Sequence, residues 1–355
     1  MYLHTLTTDT VDPSERGALL GGRFGGEIRR GAALYLEHFA ALGLPDERVR
    51  ELAERSHEAL RAWAPGLAAE SDACADAAGV ERWRVAAVGA RTEILAACPP
   101  AGEGECSTAV YAPGGGAAPQ TVQTWDWHEH LVPDALLHAF TPAEGRTVKL
   151  FTEFGAAAKI GVNSAGLGVH FNILFHRADG AGGGVPVHAV ARRILDEADT
   201  LEEAVELAGS ARVSASTSLT VVTADGGAAS LELSPRGLAV VRPGDDGWLL
   251  HTNHFLDPEL AAGDVCPGDS STAERLAHLG AVRAALPGLA PAERAKALCG
   301  SAGSGAVVCM RPDAAKPPHE QWGTLLTVGL DIAGGGLDYA VGTPDIAAER
   351  GFSRF

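Results

Sequence analysis

Apolar positions divide the chain into two textures. From Ser14 to Leu44 they fall at Leu19, Leu20, Phe24, Ile28, Leu34, Leu36 and Phe39, close to the period of a helix, and Pro45 stops the run. Asp46 to Trp63 repeats this spacing and is closed by Pro65 and Gly66, and Glu81 to Leu95 predicts a third helix. Further on, the spacing shortens to that of strands. Ser107 to Tyr111 and Thr121 to Trp127 flank a Gly/Pro-rich turn, Ala112 to Pro119, and predict a hairpin. Thr147 to Glu153 predicts another strand. Lys159 to Phe175 predicts two, joined at Asn163-Ser164-Ala165-Gly166. Val187 to Gly209 reads as two helices, and Ser216 to Asn253 as a four-stranded meander with turns at Asp225-Gly226-Gly227 and Gly244 to Gly247. Thr272 to Leu286 and Pro291 to Leu298 are helical, and TLLTVGLDI and LDYAVG form strands on either side of Gly334-Gly335-Gly336.

Strands that are half apolar need cover on their outer faces. The order therefore predicts a mixed α/β (α+β) fold, a four-layer αββα sandwich of two mainly antiparallel sheets with helices outside both. Along the chain this separates a helical N-terminal segment, 1–105, from a core, 106–355, which together make one domain.

Composition narrows the setting. The net charge is -17, from 45 acidic against 28 basic residues, and no Lys/Arg run occurs, which argues against nucleic acid or an anionic membrane as a partner. No stretch of 18 apolar residues and no basic-then-apolar leader is present, so a cytoplasmic protein is expected. The six cysteines are scattered without a CxxC, as expected of reduced thiols, not of a disulfide frame or zinc site. The glycine-rich turns match neither a phosphate loop nor a dinucleotide fingerprint, and no cofactor is expected.

The chemistry gathers at GECSTAVY, Gly104 to Tyr111, where the texture changes. A lone cysteine is ordinarily core filler. Cys106, however, opens a core strand, and scission of the Glu105–Cys106 bond would give it both a thiol and a free α-amine. With a reference pKa of about 7.7 to 8.0, that amine could take the thiol proton and return it to a leaving group. Asp126, in QTWDWHEH after the hairpin turn, can come back beside Cys106 and tune both groups. Ser107 is the weaker nucleophile, because thiols ionise far more readily.

GECSTAVY, QTWDW, KIGVNSAGLGVHFN, HTNHF and PGDSSTAERL, in that order, resemble the motif series of the isopenicillin N acyltransferase type of N-terminal nucleophile (Ntn) hydrolase, the C45 cysteine peptidases. The opening helix RGALLGGRFGGEIRRGAALYLEHF is also similar, and the resemblance runs from about Ser14 to Gly342. It implies an αββα fold, self-cleavage before the nucleophile, and transfer of an acyl group from an amide or thioester to water or an amine. It also implies roles: Cys106 as nucleophile, Asp126 against its amine and sulfur, Asn163 facing the oxyanion through its backbone N–H, Asn253 completing that hole, and Arg275 near the thiol. The related bile-salt hydrolases carry an arginine three residues before the aspartate, where this chain has Gln123, as the penicillin acyltransferase branch does. This argues against a bile-acid substrate. Glu105 stands where glycine is common in self-cleaving precursors.

The partners implied are a small acyl amide or thioester, an amine acceptor, and the two fragments of the chain for each other; a homo-oligomer is compatible with the sequence. Two rival readings follow from the same residues. One is a zinc hydrolase built from His128 and His130, two apart on one strand face, with His170, His251 and His254. The other is a catalytically silent binding protein on the same fold.

Overall fold

The computed structural model of the chain describes residues 1–98, 104–180, 182–267 and 270–355. Asp269, part of the PGDSSTAERL motif, lies outside the described residues.

The N-terminal unit is not all helical. Strand β1 (Tyr2–Thr8) comes first and pairs in parallel with a strand more than a hundred residues later. Helix α1 (Pro13–Ala41) starts at Asp12, whose side chain accepts the Glu15 N–H at 2.9 Å, with Pro13 in the first turn. Next come α2 (Asp46–Trp63), α3 (Pro65–Ala78), α4 (Arg82–Gly89) and α5 (Arg91–Leu95). The third predicted helix is thus two, broken at Ala90, and α3 is an addition to the sequence reading. Glycine explains how α3 docks: a Cβ on Gly17 would lie 2.1 Å from the Glu70 carbonyl oxygen, and one on Gly21 would lie 2.2 Å from that of Cys74. Only a residue without a side chain lets the two backbones approach so closely.

Two sheets follow. In chain order the elements are β2 (Glu105–Tyr111), β3 (Gln120–Trp127), β4 (Asp134–Ala143), β5 (Arg146–Glu153), β6 (Ile160–Asn163), β7 (Leu167–Ile173), α6 (Val187–Glu197), α7 (Leu201–Ser210), β8 (Thr217–Thr223), β9 (Ala228–Ser234), β10 (Gly237–Val241) and β11 (Trp248–His251). The chain closes with α8 (Pro258–Ala261), α9 (Thr272–Val282), α10 (Pro291–Cys299), β12 (Gly323–Asp331), β13 (Gly336–Val341), α11 (Pro344–Arg350) and β14 (Ser353–Arg354). One sheet has the order β1-β4-β5-β6-β7-β8-β9-β10, and the other β11-β2-β3-β12-β13-β14. Apart from the β1–β4 pair, every neighbouring pair is antiparallel. Helices α6 and α7 cover the outer face of the first sheet through Val190, Ile194 and Leu201 against Val148, Val169 and Leu219. Helices α9 and α10 cover the second through Leu279 and Leu298 against Ala109 and Val122. The fold is therefore the αββα sandwich. Among the described residues, no helix is long and apolar enough to cross a membrane.

The predicted meander divides. Strands β8 to β10 stay in the first sheet, but β11 crosses to the second and pairs with β2, setting His251 opposite Thr108. The N-terminal helices serve both sides of the first sheet: Phe24, Ile28, Cys74 and Val85 pack against Leu136, on the face of β4 turned away from the second sheet. Tyr35, Phe39, Leu52 and Ile94 join Cys106, Trp125, Trp127 and Phe151 in the core between the sheets. Burying each such large apolar side chain contributes about 1.5 to 3 kcal/mol, so residues 1–98 complete the inter-sheet core.

Candidate active site

Strand alternation sets the site. In the β2–β3 hairpin Cys106 lies opposite Trp125 and Glu105 opposite Asp126. Successive side chains point to opposite faces, so Cys106 projects between the sheets with Trp125, while Glu105 and Asp126 face α9. The chain enters β2 through Gly104 at φ 67°, where a Cβ would meet the Trp127 ring at 2.2 Å. Only glycine can bring the backbone in along that path.

The peptide on either side of Cys106 is held from three directions. Its N–H donates to Asn253 Oδ1 at 2.8 Å, and Arg275 Nη2 donates to the same oxygen at 2.9 Å. Arg275 Nη1 donates to the Cys106 carbonyl at 2.6 Å and to Ser107 Oγ at 3.0 Å. Backbone N–H and guanidinium can only donate, which fixes the orientation of the Asn253 amide. Its Nδ2 donates to the Ile173 carbonyl at 2.9 Å and has a second proton for another acceptor. Asn253 and Arg275 are both fully buried. The loop that carries Asn253 is shaped by Glu232, which takes His251 Nε2 at 2.8 Å and the Leu256 and Asp257 N–H groups at 2.7 and 3.0 Å.

Glu105, on the other side of the bond, is also gripped. Its Oε1 accepts from Ser270 Oγ and from the Ser271 N–H at 3.1 Å, and its Oε2 accepts from Ser271 Oγ at 2.7 Å and pairs with Arg275 Nη2 at 3.1 Å.

Electrostatics are set by burial. Burial and the nearby Asp126 carboxylate push the Cys106 thiol up to about 12. Burial also raises Asp126 to about 7, partly offset by Arg275. Among the described residues neither Asp126 oxygen has a partner at hydrogen-bond geometry, although Thr324 and Thr124 lie near. Lys159, brought down to about 8 by burial and by Arg91, sits 4.4 Å over the Trp125 ring and pairs with Glu153 at 2.7 Å.

The structure therefore brings Cys106, Asp126, Asn253 and Arg275 together, and it does not bring Asn163. That expectation is corrected. The register of β6 on β7 places Asn163 beside Leu167, five residues and about 17 Å along β7 from Asn172 at the site end. The Asn163 side chain closes the β6–β7 turn, accepting from the Ala165 and Leu167 N–H groups at 3.1 and 3.0 Å and donating to the Leu195 and Ala198 carbonyls at 3.1 and 2.8 Å. Within the β6–β7 segment the asparagine that reaches Cys106, as Asn253 does at its N–H, is Asn172, whose Nδ2 donates to the Cys106 carbonyl at 3.2 Å. Its Oδ1 accepts from Thr108 Oγ1 at 2.7 Å and Gln123 Nε2 at 3.2 Å. The signal was present in the sequence. Leu167, Val169 and Phe171 form the apolar face of β7, so His170 and Asn172 face inward.

The histidines of the zinc alternative do not converge. Strand β3 ends at Trp127 and residues 129–131 form a 3-10 turn, so His128 and His130 do not share a strand face. His170 is bonded to Gln123, His251 to Glu232 and His254 to Thr272. Among the described residues, no group of three or more His, Cys, Asp or Glu side chains could hold a metal ion.

Comparison with known proteins adds an independent line. Residues 115–345 match the family described as acyl-coenzyme A:6-aminopenicillanic acid acyl-transferase, a stretch that begins after Cys106 and includes Asp126, Asn253 and Arg275. The 40 kDa form of acyl-coenzyme A:6-aminopenicillanic-acid-acyltransferase from Emericella nidulans is 30% identical over 215 residues. That match spans 58% of this chain and 58% of the relative's length. Among solved structures, penicillin V acylase from Agrobacterium tumefaciens aligns with a TM-score of 0.45 at 16% identity, covering 66% of this chain and 83% of that one. A variant of conjugated bile acid hydrolase from Clostridium perfringens aligns at 0.42 and 12%, covering 66% and 89%.

Proposed function

The chain belongs to the acyl-coenzyme A:6-aminopenicillanic acid acyl-transferase family, and from that premise we propose that it is a self-processing cysteine acyltransferase or amidohydrolase. The observation that carries this reading is that Asp126, Asn253 and Arg275, far apart in sequence, all meet at the Glu105–Cys106 peptide.

The first reaction is on the chain itself. Asp126, whose carboxylate is near enough for its charge to raise the thiol but lies on the α9 side of the hairpin, is the base that removes the thiol proton once it turns toward Sγ. Sγ attacks the Glu105 carbonyl carbon; the C–S bond forms, the C–N bond breaks, and the proton passes to the departing nitrogen of Cys106. Water then cleaves the thioester, leaving a carboxyl on Glu105 and a free thiol on Cys106. Residues 1–105 become a small subunit and 106–355 a large one. The new amine has Asn253 Oδ1 as acceptor and Asp126 as counter-charge, and its positive charge lowers the thiol pKa.

Turnover repeats these steps on an external amide or thioester. The free amine takes the thiol proton, Sγ attacks the acyl carbon, and the amine returns the proton to the leaving group. The spare Nδ2 proton of Asn253 faces the developing oxyanion, while Arg275 keeps that amide turned the right way. Water or an amine then takes the acyl group from sulfur.

Intact-mass measurement of the purified chain tests the reading. Fragments ending at Glu105 and beginning at Cys106 are expected, and Cys106→Ala is expected to stay whole and transfer no acyl group. A Cys106→Ala chain that still divides or still turns over an acyl donor would overturn the mechanism. A wild-type chain that stays whole and reacts with no acyl donor would mark a silent binding protein.

A further inference from the structure

Glu105 is an unusual residue to find at the start of a buried strand. It is 3% exposed, and its carboxylate is met by four donors from the 270–275 segment: Ser270 Oγ, the Ser271 N–H, Ser271 Oγ and Arg275 Nη2. Arg275 is itself fully buried, and its Nε donates to Ser271 Oγ at 3.0 Å, so guanidinium and hydroxyl are already oriented toward the carboxylate. Charge-assisted bonds of this kind are strong and directional. Nothing in self-cleavage needs an acidic side chain there, since the bond broken is in the backbone.

The chemistry of the first thioester gives the cradle a second use. When Sγ has taken the Glu105 carbonyl, Glu105 is itself the acyl group on Cys106. Its side-chain carboxylate then lies three carbons from the acyl carbon and rests in the cradle. Hydrolysis puts a new carboxylate on Glu105 beside Asp126, and the two like charges favour departure of the cut chain end. Of the donors left behind, Arg275 is fully buried and Ser270 and Ser271 are half-buried, and all have lost their acceptor, which is costly unless another carboxylate replaces it.

We propose that Ser270, Ser271 and Arg275 form a carboxylate-binding subsite for the acyl group of the substrate. The acyl donor is then an amide or thioester of a five-carbon dicarboxylic acid, glutaryl or α-glutamyl, joined through one carboxyl with the other free. This rests on the thioester mechanism proposed above. The step balances as before: the C–S bond forms, the acyl C–N or C–S bond of the donor breaks, the thiol proton goes to the leaving group, and water or an amine regenerates the thiol.

The test uses the self-processed full-length chain with the p-nitrophenyl monoester of glutaric acid and, as the neutral match in length, p-nitrophenyl pentanoate. The readout is nitrophenol release together with the mass added to the Cys106 fragment. The glutaryl ester is expected to show a kcat/KM roughly 10- to 100-fold above the pentanoyl ester after correction for uncatalysed hydrolysis, as one well-formed ionic anchor allows. In S270A/S271A that ratio should fall toward one. Equal reactivity, or preference for the pentanoyl ester, in the wild-type chain overturns the subsite and leaves the cysteine mechanism standing. If neither ester acylates Cys106, the mechanism falls and the subsite with it.

Discussion

Two carboxylates, Glu105 and Glu153, are almost equally sealed from solvent and are held by similar groups, yet they serve opposite ends. Glu153 accepts from Arg91 Nη2 at 2.8 Å, from Lys159 Nζ at 2.7 Å and from Tyr35. Burial opposes its charge, but Arg91 and Lys159 hold its carboxyl far below the ordinary range. Because Tyr35 and Arg91 precede the Glu105–Cys106 bond and Lys159 follows it, this cluster ties the two sides of the chain whether or not the bond is intact. Glu70 does the same through Arg16 and Arg192. Glu105 instead ties the bond itself to α9, and scission ends its covalent link to Cys106. The difference is that a buried ion pair is a permanent joint when both partners are retained, and a reusable site when one partner can leave.

The sharpest way to break this contrast is Glu153→Ala. It strands Arg91 and Lys159 in the core and should destabilise the folded chain by about 3 to 5 kcal/mol, read as a shifted urea midpoint. A loss under about 1 kcal/mol would mean that Glu153 is not the joint described. Asn253→Ala comes next, with acylation of Cys106 expected to slow by about 100- to 1,000-fold in a pre-processed chain.

The pH dependence of stability separates the joints from the site. Burial raises Glu70, but Arg192 and Arg16 outweigh it and bring the carboxyl down from 4.5 to about 2. Its folded value is depressed, so its contribution is complete above pH 4.5 and is lost as pH falls toward 2. The loss should be on the order of 3 kcal/mol and should be absent in Glu70→Gln. Asp126 has the reverse sign: raised by burial to about 7, it favours the folded intact chain below pH 3.8, and that advantage is lost as pH rises through 7. Self-cleavage should then speed up about fivefold from pH 6 to 7 and about a further twofold above 7 before it levels off. A rate flat across that range would remove Asp126 as the base.

Much of this was legible in the chain. The hairpin bringing Asp126 to the start of β2 follows from two alternating runs and a glycine-rich turn, and the helical spacing of α2 is plain in the sequence. The unread elements had weak local signals. Strand β4 carries Leu136, Leu137 and Phe140 in a spacing that suits a helix nearly as well, and α3 is rich in small residues, so its position depends on Gly17 and Gly21 of another helix. Asn163 shows the limit most clearly. An asparagine before a glycine-rich turn can serve the turn or a distant site, and only the pairing register of β6 on β7 decides.

The sequence alone determined the alternation that turns Cys106 inward and Glu105 outward, because side-chain direction in a strand is a local property of the backbone. What occupies each side was decided by tertiary structure. The crossing of β11 to the second sheet delivers Asn253, the docking of α9 delivers Arg275 with Ser270 and Ser271, and β7 delivers Asn172 in place of Asn163. Such contacts join residues more than sixty positions apart, and their geometry comes from packing, which no local pattern encodes.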